Sequence, residues 1–524
     1  MKGVVAAGHP LTAEAGAKAL RAGGNAFDAA VSAVLASFAT ESPLTGLGAG
    51  GFMLAHVEGE GDHLLDFFVE AGGRRLDPDG ARAELVALEV LFDDVPQVFN
   101  IGPSSCGVPG TAAGLWEAAR RWCSMPFGEL IGPAVAAARD GVRVTPEHAY
   151  VFTILEPILV HYPETRALYA PAGRMPATGD LFTFPDLADA LERLAEEGPG
   201  WLYGGETGAR IADWVRERGG LLSPDDFAAY EVVERSPVAA AFRGREVLTN
   251  PPPSSGGVLI AFALDLLERL GDPAPSDDPD ALQLVAEVMA EAGAARAGFH
   301  DRLHEEGFAA ELLSPANLER AAGNVATRVA SGRRTAGGEP LGSTTHISTL
   351  DADGNAASVT CSNGTGSGVM APGTGIHLNN MLGEEDLNPL GFHRLAPGRR
   401  VTSMMAPTVV LRDGEVEMSL GSAGSNRLRS AILQLVRNVV DCGMDIDAAV
   451  RAGRVHYEAG TLHAEPGFSD GSLDELERRG YRVVRWRGLN LYFGGAQAVR
   501  RDRQTGGMSG AGDPRRGGTA VVVD

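Results

Sequence analysis

Ser343-Thr344-Thr345-His346-Ile347-Ser348-Thr349-Leu350-Asp351-Ala352-Asp353-Gly354-Asn355-Ala356-Ala357-Ser358-Val359-Thr360-Cys361-Ser362-Asn363 is the stretch that decides the fold. Residues 344–349 have the alternation and β-branched content of a strand. Asp353-Gly354 is a strong hairpin signal, and 356–362 reads as the return strand. The return brings Thr360-Cys361-Ser362-Asn363 back beside Ser343-Thr344. A glycine-dense run, Gly364-Thr365-Gly366-Ser367-Gly368, follows at once. A Thr-Thr pair at the head of a strand is ordinary by itself. These neighbours make it worth following.

Downstream, residues 409–411 and 416–420 flank Arg412-Asp413-Gly414 and predict a second hairpin,. Gly421-Ser422-Ala423-Gly424-Ser425-Asn426-Arg427 then leads from that strand into a helix over 428–442. Backbone N–H groups in such a turn can form an oxyanion hole. A helix over 446–453 and strands over 481–486, 496–500 and 520–523 complete this part. Upstream, residues 10–22 read as a helix stopped by Gly23-Gly24. Asn25 caps a second, small-residue-rich helix through 29–39. Gly46-Leu47-Gly48-Ala49-Gly50-Gly51 feeds a strand at 52–55, with 64–69 as its hairpin partner. Residues 110–235 are helix-dominated, with helices over 112–122, 130–140 and 187–196. Asn250-Pro251-Pro252-Pro253-Ser254-Ser255-Gly256-Gly257 breaks the chain before helices at 258–270 and 281–299. Residues 331–338 are the best linker candidate. Helices first, then hairpins and helices mixed, predict a layered α/β (α+β) protein with antiparallel sheets. No period of 20–50 residues suggests a solenoid.

Composition narrows the function. The formal charge of −23 opposes non-specific nucleic-acid binding, which needs a basic footprint, and disfavours anionic membrane surfaces,. The 69 glycines in 524 residues are nearly twice the usual ~7% and cluster between apolar runs, as where backbone must approach a site closely,. Four scattered cysteines give neither a disulfide scaffold nor a cysteine zinc site,. His346, His377 and His393 are not spaced as ligands on one face and no H-E-x-x-H occurs, so no metal or other cofactor is expected. Gly46–Gly51 lacks the strand–helix context of a dinucleotide loop. Gly366-Ser367-Gly368 and Gly421-Ser422-Ala423-Gly424 miss the spacing of a hydrolase elbow. The start of the chain is broken by Gly8-His9-Pro10 before an apolar signal region can form, so a cytoplasmic protein is expected. What is left is two hydroxyls and an amide-lined turn, the parts of an acyl-transfer site.

Along nearly its whole length the chain resembles the γ-glutamyltranspeptidases, N-terminal-nucleophile (Ntn) hydrolases. The resemblance is carried in order by His9-Pro10-Leu11, Gly23-Gly24-Asn25-Ala26, Gly46–Phe52, Val108-Pro109-Gly110-Thr111, Pro252-Pro253-Ser254-Ser255-Gly256-Gly257, Thr344-Thr345-His346, Asp353-Gly354-Asn355, Gly373-Thr374-Gly375-Ile376, Leu378-Asn379-Asn380 and Met405-Ala406-Pro407-Thr408. It implies a four-layer αββα sandwich made as a zymogen and cut autocatalytically at Ser343–Thr344. Residues 1–343 would be the large subunit and 344–524 the small one. The two would stay together as a heterodimer, alone or as a dimer of heterodimers, without nucleic acid or membrane. The freed Thr344 would be the nucleophile and its own α-amine the base. Ser362 falls where the family has a second hydroxyl bonded to the nucleophile. Asn363 matches a substrate-contacting Asn once a short deletion is allowed. Gly424 and Ser425 match the pair whose N–H groups hold the oxyanion. Glu384 falls at an acid that binds the substrate α-amine, and Ser403 at one of two serines that help bind its carboxylate, the other being Met404 here.

The implied activity is that of a γ-glutamyltransferase or glutathione hydrolase. It would cleave a γ-glutamyl donor such as glutathione through a γ-glutamyl-threonyl ester and pass the acyl group to water or an amino acid. The recognition residues depart from the pattern, however. The family's D-F-R-E becomes Asp66-Phe67-Phe68-Val69-Glu70, without the Arg that grips the donor carboxylate; Arg394, Arg399 and Arg400 are possible substitutes. The segment 386–400 is short for the family's lid and suggests a more open cleft. An Ntn amidohydrolase or acylase of the same fold, of cephalosporin or oxamate type, therefore stands as an alternative. A non-catalytic, unprocessed protein is disfavoured by the joint survival of Thr344, Ser362 and the Gly424 turn.

Overall fold

The first two helices start where the sequence supplies caps. His9 Nδ1 accepts the Leu11 N–H at 3.1 Å, and Pro10 opens α1 (Pro10–Arg21). Asn25 and Asp28 form a reciprocal capping box on α2 (Ala26–Thr40),. Every residue of α2 is buried, as its small apolar side chains allow,. The computed structural model of the chain describes residues 2–76, 84–92, 95–272, 274–299, 301–331, 344–424, 427–458 and 460–524. Of the predicted features, positions 332–338 of the linker, Ser343 and Ser425 lie outside the described residues.

Two antiparallel sheets lie at the centre. Their strands are β1 (Gly3–Ala7), β2 (Gly50–Val57), β3 (Gly61–Phe67), β4 (Val233–Arg235), β5 (Val238–Phe242), β6 (Arg245–Thr249), β7 (Thr345–Asp351), β8 (Ala356–Ser362), β9 (Thr408–Arg412), β10 (Glu415–Ala423), β11 (Gly495–Arg501), β12 (Met508–Gly512) and β13 (Thr519–Val523). The first sheet runs β13-β1-β7-β8-β2-β3-β4 and the second β12-β11-β10-β9-β6-β5. The two-residue period of each strand sorts its side chains between two cores. Val5, Ala7, Met53, Ala55, Ile347 and Val359 face α1, α2 and α3 (Phe127–Asp140). Val4, Ala6, Phe52, Leu54 and Leu350 face Leu248, Val409, Leu411 and Val499 across the space between the sheets. On the far side of the second sheet, Phe242, Val247, Val410, Met418 and Leu420 pack under α4 (Ser255–Leu270), α5 (Pro279–Phe299) and α6 (Arg427–Val440). The order helix, sheet, sheet, helix is the αββα sandwich of an Ntn hydrolase.

Both sheets contain strands from either side of position 344, interleaved in the first and meeting at one junction in the second. β7 lies between β1 and β8, β8 lies between β7 and β2, and β9 lies between β6 and β10. The hairpin turn after β7 is locked to α2 as well. Asp351 accepts the N–H groups of Asp353 and Asn355 at 3.0 Å each, and its other carboxylate oxygen accepts Ala26 N–H at 2.9 Å. Gly354, with φ +105°, takes the position that L residues rarely adopt,. Among the described residues no helix is long and apolar enough to cross a membrane.

Candidate active site

Thr344 stands at the head of β7. The register pairs Thr345 with Cys361, so one further step sets Thr344 opposite Ser362. Alternation then assigns the faces. Thr345 points to the helix side, where its hydroxyl donates to the carboxylate of Glu41. Thr344 and His346 point between the sheets. His346 is held by Thr360 Oγ1 at 2.8 Å and Ser348 Oγ at 2.9 Å. Burial lowers its pKa to about 3, so the ring is neutral,. Gly421 of the second sheet leaves room for it; a Cβ there would lie 2.3 Å from the ring. His346 is thus part of the packing between sheets, and it is Thr344, two residues earlier, that lines the cleft.

The space between the sheets opens at this end into a cleft of about 380 Å³. Its hydroxyl-bearing wall is Thr344, Ser362 and Ser403; its acids are Glu384 and Asp386; Phe68, Met381, Leu387, Met404, Met405 and Leu428 make the rest apolar. The sequence-predicted Thr344, Ser362, Glu384, Ser403 and Met404 therefore meet in one place. Ser362 Oγ accepts the Gly364 N–H at 2.8 Å, and Ser403 Oγ accepts the Met405 N–H at 3.0 Å. Ser255 Oγ donates to the sulfur of Met404 at 2.8 Å and fixes that side chain. Asn363 lies apart: it is not among the lining residues, and its Nδ2 donates to Pro43 O at 3.4 Å.

Glu384 accepts from Asn380 Nδ2 at 2.9 Å. Desolvation by burial, aided by Asp386, raises its pKa to about 8, so it is largely the neutral acid at pH 7,. Asp386 is near Arg296, 3.9 Å away.

Gly424 follows β10 with φ +122°, and a Cβ on it would lie 3.0 Å from Gly494 Cα. Its carbonyl accepts Arg427 N–H at 3.2 Å as the chain enters α6. Leu428, in the first turn of that helix, lines the cleft, so the positive end of the helix dipole borders the site,.

None of the three candidate arginines lines the cleft. Arg394 and Arg399 are exposed. Arg400 is buried and already paired, with Asp66 at 3.2 Å and Glu70 at 3.0 Å, and it stacks over the Tyr230 ring at 4.6 Å. On the early hairpin it is Phe68 that reaches the cleft. Its ring stacks on Phe52 at 5.3 Å. Among the described residues no cluster of three or more His, Cys, Asp or Glu could hold a metal ion. The lining contributed by Leu387 and Leu428 has no signature in the sequence; only the junction of the two sheets brings these side chains together.

Comparison with known proteins agrees with this geometry. The family model described as Gamma-glutamyltranspeptidase matches residues 12–523. The acylase ACY 1 proenzyme of Pseudomonas sp. (strain SE83) is 33% identical over 548 aligned positions, covering 100% of this chain and 94% of that one. The glutathione hydrolase proenzyme of Pseudomonas aeruginosa is 32% identical, covering 99% of this chain and 94% of that one. The crystal structure of cephalosporin acylase from Bacillus halodurans superposes with a TM-score of 0.87 at 26% identity, over 100% of this chain and 96% of that one. A hydroxyl-bearing cleft at the seam of two sheets, on a chain matched from end to end, places this protein in the γ-glutamyltranspeptidase family of Ntn hydrolases.

Proposed function

We propose that the protein is a self-cleaving amide hydrolase of the acylase kind, acting on donors whose acyl group is short, largely apolar and free of an α-carboxylate. The observation that carries this reading is the absence of any cationic side chain among the described residues lining the cleft. A donor carboxylate bound there would be desolvated with no guanidinium in the lining to pair it, and unpaired buried charge is costly,. Phe68, Met381, Met404 and Met405 offer an acyl chain apolar, adaptable contacts instead,.

In this mechanism the chain is cut before Thr344, which frees an α-amine. Such an amine has a pKa of about 7.7–8.0 and serves as general base near neutral pH. It takes the proton of the Thr344 hydroxyl as that oxygen attacks the donor carbonyl. The turn at Gly424 supplies N–H donation to the oxyanion. The amine leaving group departs with the proton, and water then hydrolyses the threonyl ester. Ser362, across the strand pair, orients the nucleophile.

A panel of butyryl, glutaryl and γ-glutamyl 4-nitroanilides tests the reading. The butyryl donor is expected to show the highest kcat/KM, by roughly tenfold or more, the worth of about 1.36 kcal/mol. Preference for the γ-glutamyl donor would sink it.

Glu384, held by Asn380, favours a second reading in which the donor is γ-glutamyl and its α-ammonium binds this acid. The carboxyl must then lose its proton first. The ratio of kcat/KM for γ-glutamyl over glutaryl donor is therefore expected to rise as pH climbs from 6 towards 8, where Glu384 titrates,. Glu384→Gln should flatten that ratio.

A further inference from the structure

β1 covers only part of β7. Their register runs from Gly3 opposite Asp351 to Ala7 opposite Ile347. Thr344, Thr345 and His346 therefore project past the end of β1, and within the sheet they have only β8 as a neighbour. Gly8 and His9 turn the chain away into α1. Beside Gly8, on the helix side of the sheet, stands Glu41, the C-cap residue of α2. It is 2% exposed. Its carboxylate accepts Thr12 Oγ1 at 2.8 Å on one oxygen and Thr345 Oγ1 on the other. Gly8 makes room for it, since a Cβ there would meet Glu41 Oε2 at 2.5 Å. From the far end of the chain, Arg516 donates Nη1 to the carbonyl of Thr344. Glu41 and Arg516 both line a second cavity of about 330 Å³, and neither lines the cleft.

These two bonds grip the chain on either side of the peptide bond that follows the nucleophile. A newly cut chain end frays unless it is tied down. A misplacement of about 1 Å in a reacting group can cost 10²-fold in rate. We propose that Glu41 and Arg516 are positioning residues, tying down the strand end that β1 does not reach and holding the freed Thr344 in register for attack. The proposal rests on Thr344 being the nucleophile.

Thr345→Val removes the hydroxyl that Glu41 holds but keeps the shape, and Thr345→Ser keeps the hydroxyl. Arg516→Met removes the donor to Thr344, and Arg516→Lys keeps one. The rate of self-cleavage of purified precursor is measured for each. On the cut protein, kcat and KM are measured with the 4-nitroanilide that wild type turns over best. Thr345→Val and Arg516→Met are expected to lower both the cleavage rate and kcat by roughly 10–100-fold while KM stays within about twofold, because the cleft is untouched. The Ser and Lys variants should recover most of the loss. Glu41→Gln combined with Thr345→Val should be no slower than Thr345→Val alone.

Unchanged kcat in the Val and Met variants, a rise in KM alone, or additive losses in the double variant would overturn the proposal. If Thr345→Val does not fold, the Arg516 pair decides by the same split between kcat and KM. A wild-type chain that is never cut and turns over no donor would overturn the nucleophile reading and this one with it. A wild type that is cut and active beside unaffected variants overturns this one alone.

Discussion

A Thr344→Ala chain is expected to remain whole. Wild type should appear on a denaturing gel as two fragments, of 343 and 181 residues, and the variant as one band of 524. The hydroxyl at 344 is the one at the head of β7 that lines the cleft, whereas the Thr345 hydroxyl is committed to Glu41 on the other face. Before cleavage the nitrogen of Thr344 is an amide and cannot act as a base, so processing and activation are one event. Donor hydrolysis by the uncut variant should fall on the order of 10⁴–10⁶-fold, as when a covalent nucleophile is removed elsewhere. Thr345→Ala is the control for the rival hydroxyl; it should still be cut, more slowly. A Thr344→Ala protein that yields fragments meeting at 343/344 would show that the chemistry at that bond belongs to another group.

The next largest effect is expected from Gly424→Ala. At φ +122° a side chain is strained wherever it points, and the Cβ would also crowd Gly494 at 3.0 Å,. A turn that relaxes out of this conformation re-aims its N–H groups. Loss of one oxyanion donor costs about 2.7–4 kcal/mol of barrier, or 10²–10³ in kcat. The measurement is kcat on variant protein that has already been cut. Turnover near the wild-type rate in such protein would place the oxyanion donors outside this turn.

The hairpins β7–β8 and β9–β10 were legible because Asp-Gly turns separate stretches of strand-forming residues,. β1 was not, because it is covered on both faces and all five of its residues are buried, which removes the alternation that marks a strand,. The strands Val86–Phe92 and Val95–Ile101 also escaped notice, although their tight antiparallel register is regular. In the site, Thr344, Ser362, Glu384, Ser403 and Met404 could be placed by order and motif. Asn363 could be matched by motif, but its side chain faces the Pro43 loop, and chain order gives no sign of that direction. Arg400 looked available for a donor carboxylate because charge is visible in a sequence and its partners, Asp66 and Glu70, more than 300 positions away, are not. Phe68 was notable only as a missing arginine; its place in the cleft depends on which way the chain leaves β3.

The sharing of both sheets by strands from the two sides of position 344 gives a cut molecule an unusual kind of permanence. Neither fragment owns a complete sheet, so neither can leave as a folded body. Release of one requires loss of the hydrogen-bonded ladders β13–β1, β1–β7, β8–β2 and β6–β9 together, which amounts to unfolding the whole. Diluting the enzyme should therefore not inactivate it over the lifetime of the fold, a protection that is kinetic. The return journey differs. The intact precursor can regain its fold as a single chain, whereas two denatured fragments must first find each other in solution. Self-cleavage would thus turn a concentration-independent folding problem into a bimolecular one, and the active enzyme would have been folded correctly once, before the cut.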